Sequence, residues 1–167
     1  MPELWDAYDK EGNKLGFDLV RGEPIPDGVY NLVVQVFAVS ADGKVLITQR
    51  DPRKTHGLQW EVTGGAATKG DTPRAAAVRE LREETGICVD ESDLLPAFAV
   101  VTNRSHRHGF GVILPAPCEV TLQEGETVDF RWLPYDEFLA FAKTEEYVGP
   151  REKHLAAMMA AVGRTME

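Results

Sequence analysis

The segment from Gly64 to Ile87 constrains this chain more than any other. Pro73 to Thr85 reads as a helix with both ends marked. Thr72 stands at the N-cap, where its hydroxyl can accept a free backbone N–H. Pro73 follows at the first helical position, where a missing N–H costs nothing. Gly86 supplies the left-handed residue that ends many helices. A helix this well bounded must bury one stripe against the rest of the chain. Ala77, Val78, Leu81 and Thr85 form that stripe, at roughly 60° to 160° when Glu80 is set at zero.

The same rotation places Glu83 near 300° and Glu84 near 40°, so Glu80, Glu83 and Glu84 share one face (about 100° per residue). Like charges at this spacing repel by about 0.2–0.5 kcal/mol per exposed pair. A cation at their centre would reverse the sign. Oxygen ligands of this kind suit Mg²⁺ or Mn²⁺, and Mg²⁺ usually combines a few carboxylates with phosphates and water. A solvated acidic helix face is the competing reading. The preceding Gly64-Gly65 pair argues against it, because the backbone there can approach a ligand and turn a carbonyl toward the same cation.

The rest of the chain alternates strand and helix signals. Residues 3–8 and 15–20 flank a polar turn and read as an N-terminal hairpin. Asn31–Ser40 is rich in β-branched residues and reads as a strand. Asp42-Gly43 predicts a hairpin into a strand over 44–49. Residues 51–58 read as a loop, 59–62 as a short strand and 63–72 as a Gly-rich loop. Strands are further expected at 87–89, 95–102, 109–114 and 128–133, with 103–107 a basic loop. Helices are expected from Pro134 to about Lys143 and over about 150–162. The pattern predicts one domain over 1–167, α+β or α/β, with a mixed sheet and helices packed on it.

Composition sets the outer limits. The chain has 167 residues, 43% apolar and 27% charged, as expected of one globular domain. No apolar run is long enough for a membrane span, and the acidic N-terminus does not resemble a signal peptide, so a cytoplasmic location is expected. The net charge of −9 disfavours a nucleic-acid polymer as partner. A small phosphorylated substrate would then need a metal or a local basic pocket. Cys88 and Cys118 lie in apolar surroundings without CxxC spacing and are expected to be buried free thiols.

The stretch GAATKGDTPRAAAVRELREETGI, Gly65 to Ile87, resembles the Nudix box: Gly, five residues, Glu, seven residues, then Arg-Glu-aliphatic-any-Glu-Glu-any-Gly-aliphatic. Gly65, Arg79, Glu80, Leu81, Glu83, Glu84, Gly86 and Ile87 match in type and spacing; Asp71 stands where the pattern has Glu. Trp60-Glu61-Val62-Thr63 resembles the entry strand, with Thr63 in place of the more usual Pro. Asp129 to Pro134, with Asp136-Glu137, resembles the late strand and helix start. The N-terminal hairpin and the stretch from Leu46 to Gln59 resemble the branch that includes isopentenyl-diphosphate isomerases.

The resemblance implies an α/β/α sandwich and hydrolysis of a nucleoside diphosphate linked to another moiety. It implies Glu83 and Glu84 as the main metal ligands. Glu80 would be a third ligand or the general base, and the Gly64 carbonyl a further ligand. Arg79 would orient Glu80 and pair with residue 71, where Asp is one methylene short. Arg50, Arg53 and Lys54 are candidates for substrate phosphates or members of a solvated loop, and Glu61 is grouped with them. Glu124, Glu126 and Asp129 are candidates for an extra ligand or base. Arg104, His106, Arg107 and His108 read as a surface or substrate-contacting loop. Trp60 and Trp132 read as core residues. A homodimer is compatible with the resemblance. Two other readings compete. An isomerase would need a cysteine near the entry strand, where Val62 to Gly65 stand. A non-catalytic binding module would typically lack box carboxylates that are present here.

Overall fold

The computed structural model describes residues 1–166, so the expected domain is described except for Glu167. Its elements run β1 (Leu4–Tyr8), β2 (Lys14–Val20), β3 (Asn31–Ser40), β4 (Lys44–Arg50), β5 (Trp60–Glu61), β6 (Thr63–Ala66), α1 (Pro73–Thr85), a 3₁₀ turn (Glu91–Asp93), β7 (Leu95–Val101), β8 (Ser105–Leu114), β9 (Thr127–Pro134), α2 (Tyr135–Phe141) and α3 (Glu152–Ala161).

β3 organises the molecule because both of its faces are apolar. Successive side chains on a strand point to opposite faces. Leu32, Val34, Val36 and Ala38 therefore enter one core, with Leu46, Ala76, Ala77, Leu81, Phe110 and Val112. Phe37 and Val39 enter another, with Val45, Ile47, Trp60, Phe138, Leu155, Met158 and Met159. The helix α1 covers the first face, and α2 and α3 cover the second. The result is an α/β/α sandwich with a mixed sheet, as expected: β3 runs parallel to β8 from Asn31↔Ser105 to Ser40↔Leu114, while its other pairings are antiparallel. A strand buried on both faces reads as a near-continuous hydrophobic run, which is what NLVVQVFAVS is.

The β3–β4 hairpin opens at its base. Only Val39↔Val45 pair across it. Further along, β6 takes the free edge of β3, from Val33↔Ala66 to Val36↔Thr63, and β9 takes that of β4. Val33 to Val36 thus find partners in a segment expected as loop. Thr63 to Ala66 is strand because buried backbone groups must be paired.

Two other expectations fail for related reasons. Ile87 to Val89 is not a strand: Ile87 is anchored in the core, but the chain then passes into the 3₁₀ turn without a neighbouring edge to pair. The expected basic loop at 103–107 is partly strand, since parallel pairing with β3 begins at Ser105 and carries His106, Arg107 and His108 into β8. The cysteines are free but exposed, not buried. Cys88 alternates outward beside inward-facing Ile87, and Cys118 lies on the segment between β8 and β9. Trp60 is buried, with the Arg131 guanidinium 4.3 Å over its ring; Trp132 is half-buried, its indole donating to the Cys118 carbonyl.

The hairpin β1–β2 forms its own two-stranded sheet. It joins the body through a Tyr8↔Tyr30 bridge. It also grips the loop that leads into α1. Lys69 N–H donates to the Leu4 carbonyl at 2.9 Å, Gly70 N–H donates to Asp6 at 2.8 Å, and Lys69 pairs with Asp18. No helix among the described residues is long and apolar enough to cross a membrane.

Candidate active site

The local design of α1 follows its sequence. Thr72 accepts the Ala75 N–H at 3.1 Å, and Gly86 adopts φ 76° with its N–H donating to the Arg82 carbonyl. Both caps hold the helix in fixed register against β6. Ala76, Ala77, Leu81 and Thr85 are buried as a stripe, but so are Glu80 and Glu84. The acidic face is therefore not a solvated one. It turns toward a cavity of about 320 Å³ lined by Gly64, Gly65, Ala66, Glu80, Glu83 and Glu84, and also by Arg50, Lys54, Gln123, Glu126 and three residues in or flanking the N-terminal hairpin.

The glycine pair is a steric requirement. A Cβ at Gly65 would lie 2.5–2.7 Å from the Glu80 carboxyl atoms, and one at Gly64 would lie 2.6 Å from the Val34 carbonyl. β6 can pass between β3 and the Glu80 carboxylate only without side chains there.

Arg79 binds the acidic groups together. Its Nε and Nη2 donate to Asp71 Oδ2 at 3.2 and 3.0 Å, and Nη2 also donates to the Ala66 carbonyl. Its Nη1 donates to Glu80 at 3.1 Å and to Glu83 at 3.0 Å. The shorter Asp71 side chain still reaches the guanidinium, helped by a bend in which Asp71 also accepts from the Thr68 N–H and hydroxyl.

Charge in this cavity is costly. Burial pushes the Glu80 carboxyl up to about 7; Arg79 pulls it down and Glu83 adds to the rise. Burial raises Glu84 well above the carboxylate range, and the nearby charges of Glu80 and Glu61 push the same way. Among the described residues, Glu84 Oε2 is buried with no hydrogen-bond partner. An unpaired buried carboxylate oxygen is unfavourable unless a cation or proton is supplied.

The donor set fits a hard divalent cation. Three carboxylates face one cavity, the deepest has an orphaned oxygen, and Glu80 sits in a cradle that any Cβ at residue 65 would fill. Among the described residues, no three His, Cys, Asp or Glu groups converge closely enough to clasp an ion as they stand. Arg79 holds Glu80 and Glu83 in ion pairs of its own.

The remaining candidates divide. Arg50 and Lys54 line the cavity, Arg50 bound to Glu61 at 2.8 Å and Lys54 to Glu126. Glu61 is raised by burial, which Arg50 opposes, and it stands behind Arg50 rather than on the cavity wall. Arg53 does not line the cavity. A turn folds its backbone N–H and guanidinium onto Asp51, at 2.8–2.9 Å, and this holds the Asp51 carboxyl down at about 2. Of the three later carboxylates, Glu126 lines the cavity, whereas Glu124 and Asp129 do not. Arg104, His106, Arg107 and His108 lie away from it. Glu3, Trp5, Arg21 and Gln123 line it with no local sequence signal, since only the tertiary fold brings the hairpin and the 123–126 loop over α1.

Comparison with known proteins agrees with this geometry. The NUDIX domain family model matches residues 29–154. An uncharacterized Nudix hydrolase of Listeria monocytogenes is 28% identical over 149 residues, covering 87% of this chain and 88% of the relative. A crystal structure of a Deinococcus radiodurans protein superposes with a TM-score of 0.68 at 22% identity, covering 83% of this chain and 88% of that one. A bifunctional NMN adenylyltransferase/ADP ribose pyrophosphatase of Francisella tularensis, complexed with AMP and a manganese ion, superposes with a TM-score of 0.52 at 21% identity, over 64% of this chain and 34% of that one. By the family match and by the box that α1 carries, this chain belongs to the NUDIX domain family and is a Nudix hydrolase.

Proposed function

We propose that this chain hydrolyses the diphosphate linkage of a nucleoside diphosphate derivative, by water attack at phosphorus, with Mg²⁺ or Mn²⁺ bound at α1. The carrying observation is Glu84: a buried carboxylate with an orphaned oxygen among the described residues, lining one cavity with Glu80, Glu83 and the Gly64-Gly65 pair. Glu83 and Glu84 would be the principal ligands and the Gly64 carbonyl a further one, with Glu80 a third carboxylate ligand or the general base. A bound divalent cation would neutralise phosphate oxygens and lower the pKa of water.

The chain's own residues account for the rest. Glu80, raised to about 7 by burial, is matched to accept a proton near neutral pH. Arg79 sets its position through Nη1 and is itself fixed by Asp71 and the Ala66 carbonyl. Arg50 and Lys54 offer the positive charge that an anion needs in a chain of net charge −9. The isomerase reading loses support here, because neither Cys88 nor Cys118 lines the cavity and both are exposed.

The test is formation of the nucleoside monophosphate and the phosphorylated second product from a panel of nucleoside diphosphate conjugates with Mg²⁺, read by chromatography. Glu83→Gln should reduce turnover at least 100-fold while leaving the fold intact by circular dichroism. Unchanged turnover would sink the site assignment. Conversion of isopentenyl diphosphate to its dimethylallyl isomer would restore the isomerase reading.

A further inference from the structure

Part of the cavity lining lies outside the stretch of the chain that matches the family model. Glu3, Trp5 and Arg21 come from the N-terminal hairpin and its exit, whereas the match begins at residue 29. This part of the lining is built, not incidental. Glu3 Oε1 accepts the Trp5 indole N–H at 2.7 Å, and Glu3 Oε2 accepts from Arg21 at 3.3 Å. Arg21 donates in turn to Glu126 at 3.1 Å, and Glu126 pairs with Lys54. One chain of charged groups thus runs from the hairpin, past the indole, to the loops that carry the cavity's cations. Lys69, Gly70 and Asp18 tie the same hairpin to the start of α1. The indole is therefore held at a fixed place relative to Glu80 and Glu83.

The lining is chemically mixed. The α1 side presents carboxylates and glycine backbone, and Arg50 and Lys54 supply positive charge. Trp5 is the one aromatic ring among the lining residues, and it is only half-buried. A diphosphate spanning the cations and the carboxylates leaves its organic group to the other lining residues, of which Trp5 presents the largest apolar surface. A ring already immobilised by its own hydrogen bond loses little further freedom on stacking. We propose that Trp5, positioned by Glu3 and Arg21, is the residue that reads the substrate's organic group, and that it selects a planar aromatic base over an aliphatic one. This rests on the diphosphate-hydrolase reading of the site.

The test compares ADP with isopentenyl diphosphate, which share a terminal diphosphate and differ in the organic group. Phosphate release with Mg²⁺ gives kcat/KM for each, and their ratio is the readout. Trp5→Ala should lower the ratio of ADP to isopentenyl diphosphate by about 5- to 150-fold, the range of one base–aromatic stack, through KM and not kcat. Trp5→Phe, which keeps a ring, should recover most of it. A hairpin that merely lost structure would lower both substrates together and leave the ratio in place. An unchanged ratio in Trp5→Ala, or equal loss in Trp5→Phe, overturns the proposal. Absence of hydrolysis of either compound and of every diphosphate conjugate by the wild type would instead overturn the reading of the site itself.

Discussion

Glu80→Gln separates the electrostatic cost of this cavity from its use. The Glu80 carboxyl, 4.5 when free, is raised to about 7, chiefly by burial. A raised carboxyl pKa means that the folded state binds more protons than the unfolded one between those values. The stability is present in full below about 4.5, and it is lost as pH climbs through about 7. The interval corresponds to about 3 kcal/mol at pH 8. Glutamine keeps the size and can still accept from Arg79, but it cannot ionise. In the presence of a chelator, Glu80→Gln and wild type should melt at similar temperatures at pH 4.5. At pH 8 the variant should melt about 6–12 °C higher, taking about 2–4 °C per kcal/mol for a chain of this size. Differential scanning calorimetry at several pH values provides the comparison. Saturating Mg²⁺ should shrink the gap at pH 8 by stabilising wild type, by about 2.7 kcal/mol at 100 times the dissociation constant. A gap that is the same at pH 4.5 and 8, or a wild type that gains stability with pH relative to the variant, refutes this reasoning.

Other perturbations follow from the same geometry. Glu84→Gln replaces a buried carboxyl that has an orphaned oxygen by a group that cannot ionise, and should lose at least 100-fold in turnover without lowering the melting temperature of the chelated protein; product chromatography and thermal melts measure the two halves. Gly65→Ala places a Cβ against the Glu80 carboxylate and should lower kcat more than 10-fold with a modest effect on Tm, checked by steady-state kinetics and melting. Arg79→Lys loses the forked contacts to Asp71, Ala66, Glu80 and Glu83, and should lower kcat about 10-fold or more and shift the acidic limb of its pH profile. Thr72→Ala removes the N-cap bond to Ala75 and should cost about 1 kcal/mol in denaturant unfolding.

Much of α1 was legible because its information is local. A cap, a proline, a terminal glycine and a 100° rotation per residue are enough to place Glu80, Glu83 and Glu84 on one face. The Nudix box adds Arg79, Asp71 and the glycine pair at fixed spacing. The central strand was equally legible, since burial on both faces leaves the run NLVVQVFAVS without a charged residue. Edges were less so. Thr63 to Ala66 carries two glycines and little strand propensity, and becomes strand because β3 offers it a free edge. Ser105 to His108 is polar, and becomes strand through parallel pairing with β3.

What the sequence alone determined, then, is the acidic device and the layered frame on which it sits. The tertiary structure decided everything that depends on distant segments meeting. It turned the carboxylate face of α1 inward, so that Glu80 and Glu84 are buried and their charges raised in cost. It withdrew Arg53 from the cavity into an ion pair with Asp51, and brought Glu126 in through Lys54 and Arg21. It also set Trp5, some 75 residues from Glu80 in the chain, in the lining of the same cavity. Spacing along a helix is written in the sequence, because backbone geometry fixes it. Which residues face one another across a cavity is settled only when the sheet closes, since no local rule carries that distance.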